Sequence, residues 1–458
     1  MKETIATIHI YHTNDIHSHF ENWPQIKRFL QDRKEQAVQA GEACFIFDIG
    51  DHVDRSHPYT EGTVGKGNVE LLNEAGYDAV TIGNNEGITM SKESLNTLYE
   101  DALFDVVVCN LKDVEGAVPY WIKTSKILET SDGVRIGIVG ATAPYYAFYR
   151  QLGWEIIEPH KQLQKIASRL KDESDIVVCL SHLGINEDRL LAEECPEFDV
   201  ILGAHTHHLL PNGEWSGDTL IGAAGKFGHY IGHIRVDVDR MTNQVVSMEA
   251  EVFPTNEMEQ TTEDVMEIKG YLSAGEEALH VPVFYNPSPL SQKLTGDSPL
   301  SSFFGRALVA YTEADCALFN AGIFLGSLDK GWVTKGDLHS LLPHPINPCL
   351  VTLDGLELLE VYEQSLDPKW TDMKIRGLGF RGTFMGAVLH EHLFLNTEGQ
   401  LFAGNRMVEA GKSYTLATLD MFTFGFFFPL LKEAPKQYIM PEMLRDVLGW
   451  YGRKYFND

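Results

Sequence analysis

The sequence is poor in several things, and each shortage excludes something. No apolar run is long enough for a bilayer: the most apolar stretch, Met421–Leu431, falls well short of the roughly 18 residues a membrane helix needs. The chain opens MKETIATIHIYHTND, with an acid at Glu3 and no apolar h-region, so no secretory signal is expected. None of the six cysteines forms a C-x-x-C pair. Cys44, Cys109, Cys179 and Cys316 stand in or beside apolar runs and read as buried thiols, which makes the reducing cytoplasm the expected compartment. Positive charge is scarce, with 37 Lys and Arg against 65 Asp and Glu and a formal net of -28. Such a surface repels nucleic acid and anionic membranes, so neither is an expected partner. A small anionic substrate stays possible, because a local cation reverses the sign inside a cleft. Two nucleotide and acyl-transfer templates are missing as well. Gly62–Gly67 lacks the G-K-[ST] of a P-loop, and no G-x-S-x-G elbow occurs.

What is present is ample for a folded enzyme. At 458 residues, 44% of them hydrophobic, the chain has room for two to three domains of about 100–200 residues each. The first half alternates short Val/Ile-rich runs with helical patterns. The runs are Ile8–Tyr11, Cys44–Ile49, Ala79–Ile82, Val106–Cys109, Ile136–Val139, Ile176–Leu180 and Val200–Leu202. The helix candidates include Pro24–Ala40, Asn68–Glu74, Lys92–Leu103 and His160–Lys171. Runs of that length suit strands buried on both faces, and the alternation predicts an α/β layered domain. Ile231–Val238 alternates apolar and polar residues and is expected as an antiparallel edge strand. From Met248 to Leu279 acids accumulate, and the segment reads as a helix-compatible connector. The expected organisation is a first domain over residues 1–250, a hinge over 251–284 and a second domain over 285–458. The second domain has its own helices, Pro299–Tyr311 and Gly355–Gln364, and its own strands, Cys316–Phe319 and Leu350–Leu353.

The chemistry lies at the strand ends. Five of the first-half strands run directly into polar clusters: His12–His17, Gly50-Asp51-His52, Gly83-Asn84-Asn85-Glu86, Ser181-His182 and Gly203–His208. In open α/β sheets the carboxyl ends of strands are where sites gather. Thirteen of the 18 histidines also lie in residues 1–240, more than an even spread would place there. A lone loop histidine is more often a structural hydrogen-bonder than a ligand, and His9, His57, His160, His229 and His233 keep that reading. Five clusters in one half-chain are another matter. Asp15, His17, Asp51, Asn84, His182, His205 and His207 fit two ligand shells sharing one bridge. Imidazole, carboxylate and amide oxygen suit borderline-to-hard divalent ions, with Mn, Zn, Mg, Fe and Co all admissible. Two such ions would lower the pKa of a shared water and clamp the oxygens of an in-line displacement at phosphorus.

Those motifs, Asp15-Ile16-His17, Gly50-Asp51, Gly83-Asn84-Asn85-Glu86, Ser181-His182 and Gly203-Ala204-His205-Thr206-His207, resemble the calcineurin-like metallophosphoesterases. The lead Thr13-Asn14, the Asn73–Ala79 segment and Ala223–Gly228 are similar to the 5'-nucleotidase / 2',3'-cyclic phosphodiesterase branch. Ala314–Gly322, Pro343–Asn347, Leu353-Asp354-Gly355 and Tyr414–Thr418 resemble that branch's C-terminal domain. The resemblance implies a four-layer αββα catalytic domain followed by a smaller α/β (α+β) domain that holds the nucleoside and rotates. It implies Asp15, His17 and His207 on one ion, Asn84, His182 and His205 on the other, and Asp51 bridging. Asn84, Asn85 and His182 would then stand nearest the reaction, a hydroxide held between the ions attacking phosphorus. Asn320, Arg376, Phe380, Arg381 and Phe426 are the corresponding substrate-binding candidates.

The chain departs from that family's pattern twice. The family reads Gly-Asn-His-Glu with an Asp two residues on, a pair that assists the leaving group; here the positions are Asn85 and Ile88. An amide cannot ionise, and losing a general acid costs about 10²–10⁴ in rate, most for an alkoxide leaving group. His52 and His19 are the neighbours that could take over. The family's phosphate-binding arginine is replaced by Leu325. The expected activity is hydrolysis of phosphate esters, of nucleotides above all. Pyrophosphate cleavage in nucleotide sugars, or a metal-containing nucleotide-binding protein with little catalysis, stands as the alternative.

Overall fold

Residues 5–456 are described by a computed structural model, in which the chain divides into two units that meet between Gly275 and Glu276. In the first unit two sheets lie face to face. One has seven strands, in the order Val245–Pro254, Tyr230–Asp239, Ile5–Thr13, Ala43–Asp48, Ala79–Val80, Asp105–Val107, Ile122–Lys123. The other has six, in the order Glu214–Ser216, Thr219–Gly222, Val200–Gly203, Ile176–His182, Arg135–Thr142, Lys126–Glu129. The strand Ile176–His182 shows why the layers form. Side chains alternate across a strand, so Ile176, Val178 and Leu180 enter the core between the sheets. Val177 and Cys179 face the helices Pro159–Glu173 and Ile185–Glu194 instead. The same parity puts His182 on the inner face, at the carboxyl end. On the far side the helix Trp23–Ala40 buries Trp23, Ile26 and Leu30, which completes a four-layer αββα sandwich.

Parallel pairing brings the strand ends into line. Thr13 is level with Asp48, Asp48 with Val80, and Ser181 with Gly203. Two expectations need correction. Tyr230–Asp239 pairs antiparallel with Ile5–Thr13 but is interior, and the edge is the strand Val245–Pro254. The connector therefore begins later than residue 251, since the helix runs Thr262–Leu279. Glu249 and Glu251 alternate with Met248 and Ala250, which pack on the core. An acid at every second residue of an edge strand imitates an acidic connector.

The second unit is built on a mixed five-stranded sheet in the order Val388–Glu391, Cys316–Asn320, Ser413–Leu419, Pro348–Asp354, Lys436–Tyr438. Only Cys316–Asn320 and Ser413–Leu419 run parallel within it. Helices Pro299–Thr312 and Leu444–Phe456 cover this α+β unit with Phe303, Phe304, Leu444 and Leu448 in its core. All six cysteines are free thiols, and no helix among the described residues is long and apolar enough to cross a membrane.

Candidate metal centre

The loops leaving the aligned strand ends are held by backbone hydrogen bonds across the sheets. Asp15 N–H donates to Gly50 O at 3.0 Å and His17 N–H to Asp51 O at 2.7 Å. From the second sheet, the N–H of His205 donates to the Asp15 carboxylate at 3.0 Å. To make these bonds Asp15, His17, Asp51, His205 and His207 all take left-handed backbone angles, with φ between 49° and 72°. That region costs an L-residue roughly 1–2 kcal/mol, and such outliers collect at functional sites. Gly83 admits the closest approach: a Cβ there would meet Asp51 Oδ1 at 2.0 Å.

Six of the seven predicted ligands fall into two groups, Asp15/His17/His207 and Asp51/His182/His205, each with ligand atoms within 4.8 Å of one another. Within the first group His17 Nε2 is 3.2 Å from His207 Nε2, and Asp15 Oδ1 lies 3.4 Å from His207 Nε2 and 3.7 Å from His17 Nε2. The groups are joined by one atom. Asp51 Oδ2 is 3.5 Å from His17 Nε2 and 3.5 Å from His182 Nε2. The seventh residue, Asn84, starts the helix Asn84–Thr89, whose Asn85 N–H donates to Asp51 Oδ1 at 2.7 Å.

Two buried atoms here lack the partners a protein interior demands. His182 donates from Nδ1 to the Ile49 carbonyl at 2.7 Å, which frees Nε2, and that nitrogen is buried without a hydrogen-bond partner. Asn84 Oδ1 is likewise buried and unpaired. Buried polar atoms are otherwise nearly always satisfied. The charges tell the same story. Burial opposes charging His17 and His182, yet the carboxylates outweigh it. Hydrogen bonds to Asp15 and Asp54 bring His17 to about 10, and Asp51 brings His182 to about 9. Burial also opposes ionising Asp15, which hydrogen bonds to His17 and His207 hold well below the usual range. A pocket that draws protons onto its histidines is short of positive charge. Divalent cations fit these nitrogen and oxygen donors.

A second ring of residues was not singled out from the sequence. Glu86 accepts from the N–H groups of Asp51, Val53 and Gly83 at 3.0, 2.8 and 2.8 Å, and so ties together the loops of Asp51 and Asn84. Burial, and then the charge of Asp51, raise its carboxyl to about 7. Asn14 ties Asp15 to the Ala224–Gly225 segment. Asp54 Oδ2 lies 3.5 Å from His17 Nδ1. The signal for these was available in principle, since Glu86 and Asn14 stand within recognised motifs and Asp54 just beyond one.

Asn85 departs from its expected use. Its Nδ2 is 2.8 Å from His17 Nδ1 and its side chain is buried, so the amide addresses a ligand ring rather than open space. The two substitute acids fare differently. His52 is buried against Trp23 with ring centroids 4.8 Å apart, and burial lowers it to about 3; it is a core histidine. The His19 ring lies tilted against Phe227, centroids 3.8 Å apart, and Phe227 in turn meets His17 edge to face at 5.9 Å.

In the second unit the five substrate-binding candidates are unequal. Asn320 is buried at the end of its strand, with Nδ2 donating to Met385 O at 2.7 Å and Oδ1 unpaired. Phe380 is a core ring, 4% exposed and stacked on His344 at 5.1 Å, so it is not presented to a base. Its neighbour Arg381 donates from the backbone to His344 Nδ1 at 2.9 Å. Arg376 is exposed, and Phe426 is 74% exposed.

A double-sheet sandwich that aligns two nitrogen-and-oxygen clusters about one carboxylate defines a metal-dependent phosphoesterase. Comparison with known proteins agrees. Residues 8–209 match the calcineurin-like phosphoesterase family and residues 279–421 the 5'-nucleotidase C-terminal domain. The metallophosphoesterase YunD of Bacillus subtilis is 39% identical over 98% of this chain and 99% of its own. Among solved structures, the fold is similar to the NAD nucleotidase of Haemophilus influenzae (TM-score 0.66, 15% identity, 99% and 97% of the two chains). It is also similar to a Thermus thermophilus 5'-nucleotidase precursor (0.59, 19%, 98% and 97%). The chain belongs to the calcineurin-like metallophosphoesterases with a 5'-nucleotidase C-terminal domain, and it is a phosphoric ester hydrolase.

Proposed function

We propose that the protein is a cytoplasmic, two-metal hydrolase of nucleotide phosphate esters. The observation that carries this reading is the position of Asp51 Oδ2, equidistant at 3.5 Å from a nitrogen of each cluster, as a bridge requires. Asp15, His17 and His207 would hold one ion and Asn84, His182 and His205 the other. Mn, Zn, Mg, Fe and Co all suit such donors. When bound, the ions would activate a shared water and neutralise phosphate charge. The chain's own residues do the rest. Glu86 and the cross-sheet backbone bonds fix the ligands in place, while the Asn84 amide offers its oxygen to the centre and its NH₂ to a phosphoryl oxygen. The six unpaired thiols support the cytoplasmic assignment.

A nucleotide as the substrate is supported by the matched C-terminal domain and by the names of the two similar structures, a 5'-nucleotidase precursor and an NAD nucleotidase. Asn320, Arg376, Arg381 and Phe426 of the second unit are the proposed nucleotide contacts, with Phe426 the exposed ring. The test is turnover of AMP, a 2',3'-cyclic nucleotide, UDP-glucose and a nitrophenyl diester, each with Mn²⁺ and after stripping by chelator. Metal-dependent cleavage of at least one nucleotide is expected. Cleavage of the nitrophenyl ester alone would remove the nucleotide from the proposal and leave the hydrolase. Asn85, where the family has histidine, favours UDP-glucose as the main rival, since a pyrophosphate bond breaks with a good leaving group that needs no general acid.

A further inference from the structure

With its amide turned to His17, Asn85 is not aimed at a leaving group. A different donor stands beside the second cluster. The strand Arg135–Thr142 runs, like the five clusters read from the sequence, to a carboxyl end at the site, and beyond it comes Ala143-Pro144-Tyr145. The Tyr145 hydroxyl is 3.4 Å from His205 Nε2, with the two rings edge to face at 6.0 Å and 72°. The side chain is not buried in the core, being 37% exposed. Its backbone is nevertheless fixed: the N–H donates to Ala143 O at 3.0 Å, and the carbonyl accepts from Phe148 and Tyr149 at 3.0 and 3.1 Å. The short helix it opens, Tyr146–Gln151, is locked to the Asn84 helix, because Tyr149 packs where a Cβ on Gly87 would lie 2.0 Å from its hydroxyl. Tyr145 therefore touches His205 from the start of a helix that packs on the one beginning with Asn84.

Resting on the hydrolase reading above, we propose that Tyr145 donates a hydrogen bond to the leaving oxygen of the substrate, and so is a catalytic residue. In hydrolysis the water oxygen bonds to phosphorus, and the phosphorus–oxygen bond to the leaving group breaks. The electron pair of that bond goes to the leaving oxygen. One water proton ends on that oxygen, so the phenol is unchanged over the cycle. A neutral O–H at that oxygen stabilises the charge while it builds. A hydrogen bond to a charged group contributes more than one between neutral partners. The benefit is large for a nucleoside alkoxide and small for a nitrophenolate, which needs no help.

The test compares wild type with Tyr145→Phe on AMP and on 4-nitrophenyl phosphate, both with Mn²⁺. Mn²⁺ titration of the metal-stripped proteins is the readout independent of turnover. The expected result is a kcat loss with AMP of about ten- to a hundredfold. Turnover of the aryl ester should stay within about twofold, with Mn²⁺ stoichiometry and affinity unchanged. Tyr145→Leu should repeat the selective loss. Equal losses on both esters together with weaker Mn²⁺ binding would overturn the proposal and make Tyr145 a prop for His205. An AMP rate untouched by either variant would also overturn it. A wild type that cleaves neither monoester overturns the proposal, and the wider panel above then decides separately whether the hydrolase reading stands.

Discussion

Asp51→Asn tests the shared oxygen most directly. Asp51 Oδ1 accepts the Asn85 N–H at 2.7 Å, so an asparagine must keep its oxygen on that side. Its NH₂ then falls where Oδ2 now faces His17 Nε2 and His182 Nε2, each 3.5 Å away. The substitution preserves shape, removes a unit charge from both ion positions and turns an acceptor into a donor. At an effective dielectric near 20, one unit-charge pair at about 4 Å is worth about 4 kcal/mol. Against a divalent ion the charge product is doubled, so the loss is at least roughly a thousandfold in affinity for each ion. Equilibrium dialysis against Mn²⁺ with elemental analysis, after circular dichroism shows the variant folded, gives the number directly. Two ions held within tenfold of the wild-type affinity would refute the bridging argument.

Three further outcomes are expected. Asn85→Leu removes the amide from His17 Nδ1, and loss of such an outer partner should weaken metal affinity about 10–100-fold; competition with a calibrated chelator measures it, and an unchanged constant would dismiss the clamp. Burial raises the Asp420 carboxyl to about 7, so the folded chain keeps a proton between pH 4 and 7 that the unfolded chain has released. Stability from this group is present at low pH and lost as pH rises, and Asp420→Asn should gain on wild type by up to roughly 1.4 kcal/mol per pH unit across that window; parallel urea-midpoint curves for the two proteins would contradict this. Phe380→Ala should destabilise the second unit by about 3–5 kcal/mol as a core truncation. Phe426→Ala, at an exposed ring, should leave the melting temperature near wild type and raise KM for a nucleotide, so calorimetry and kinetics together separate a packed ring from a presented one.

The residues of the two clusters were legible in the sequence because two local signals coincide at each of them. A Val/Ile run says where a strand ends, and a ligating side chain directly after it says what that end carries. Asp15, Asp51 and His182 are all of this kind, and period-2 alternation even fixes the face that His182 takes. Tyr145 and Asp54 were missed because their roles depend on distances that no single segment contains. The Tyr145 hydroxyl meets a histidine 60 positions away, and Asp54 meets one on a neighbouring loop. Asn85 was read by its place in a motif, while its actual contact is set by how the helix Asn84–Thr89 faces His17. In the second unit Phe380 was a nucleotide-binding candidate through the family resemblance alone, and its packing against His344, which no single segment contains, makes it core. The strand Val245–Pro254 was hidden by its own acids.

The left-handed backbone at five of the proposed ligand positions also limits which elements such a centre would come to prefer. Asn, Asp and His are the non-glycine residues that occupy this region several times more readily than others, and they are also oxygen and imidazole donors. Backbone shape and donor type are thus chosen together. A drift toward thiolate ligands, which would turn the centre toward softer metals, has to pass through residues that the loops disfavour. The curvature of the chain would act as a filter on the inorganic chemistry of the proposed centre, favouring ions in the hard-to-borderline range.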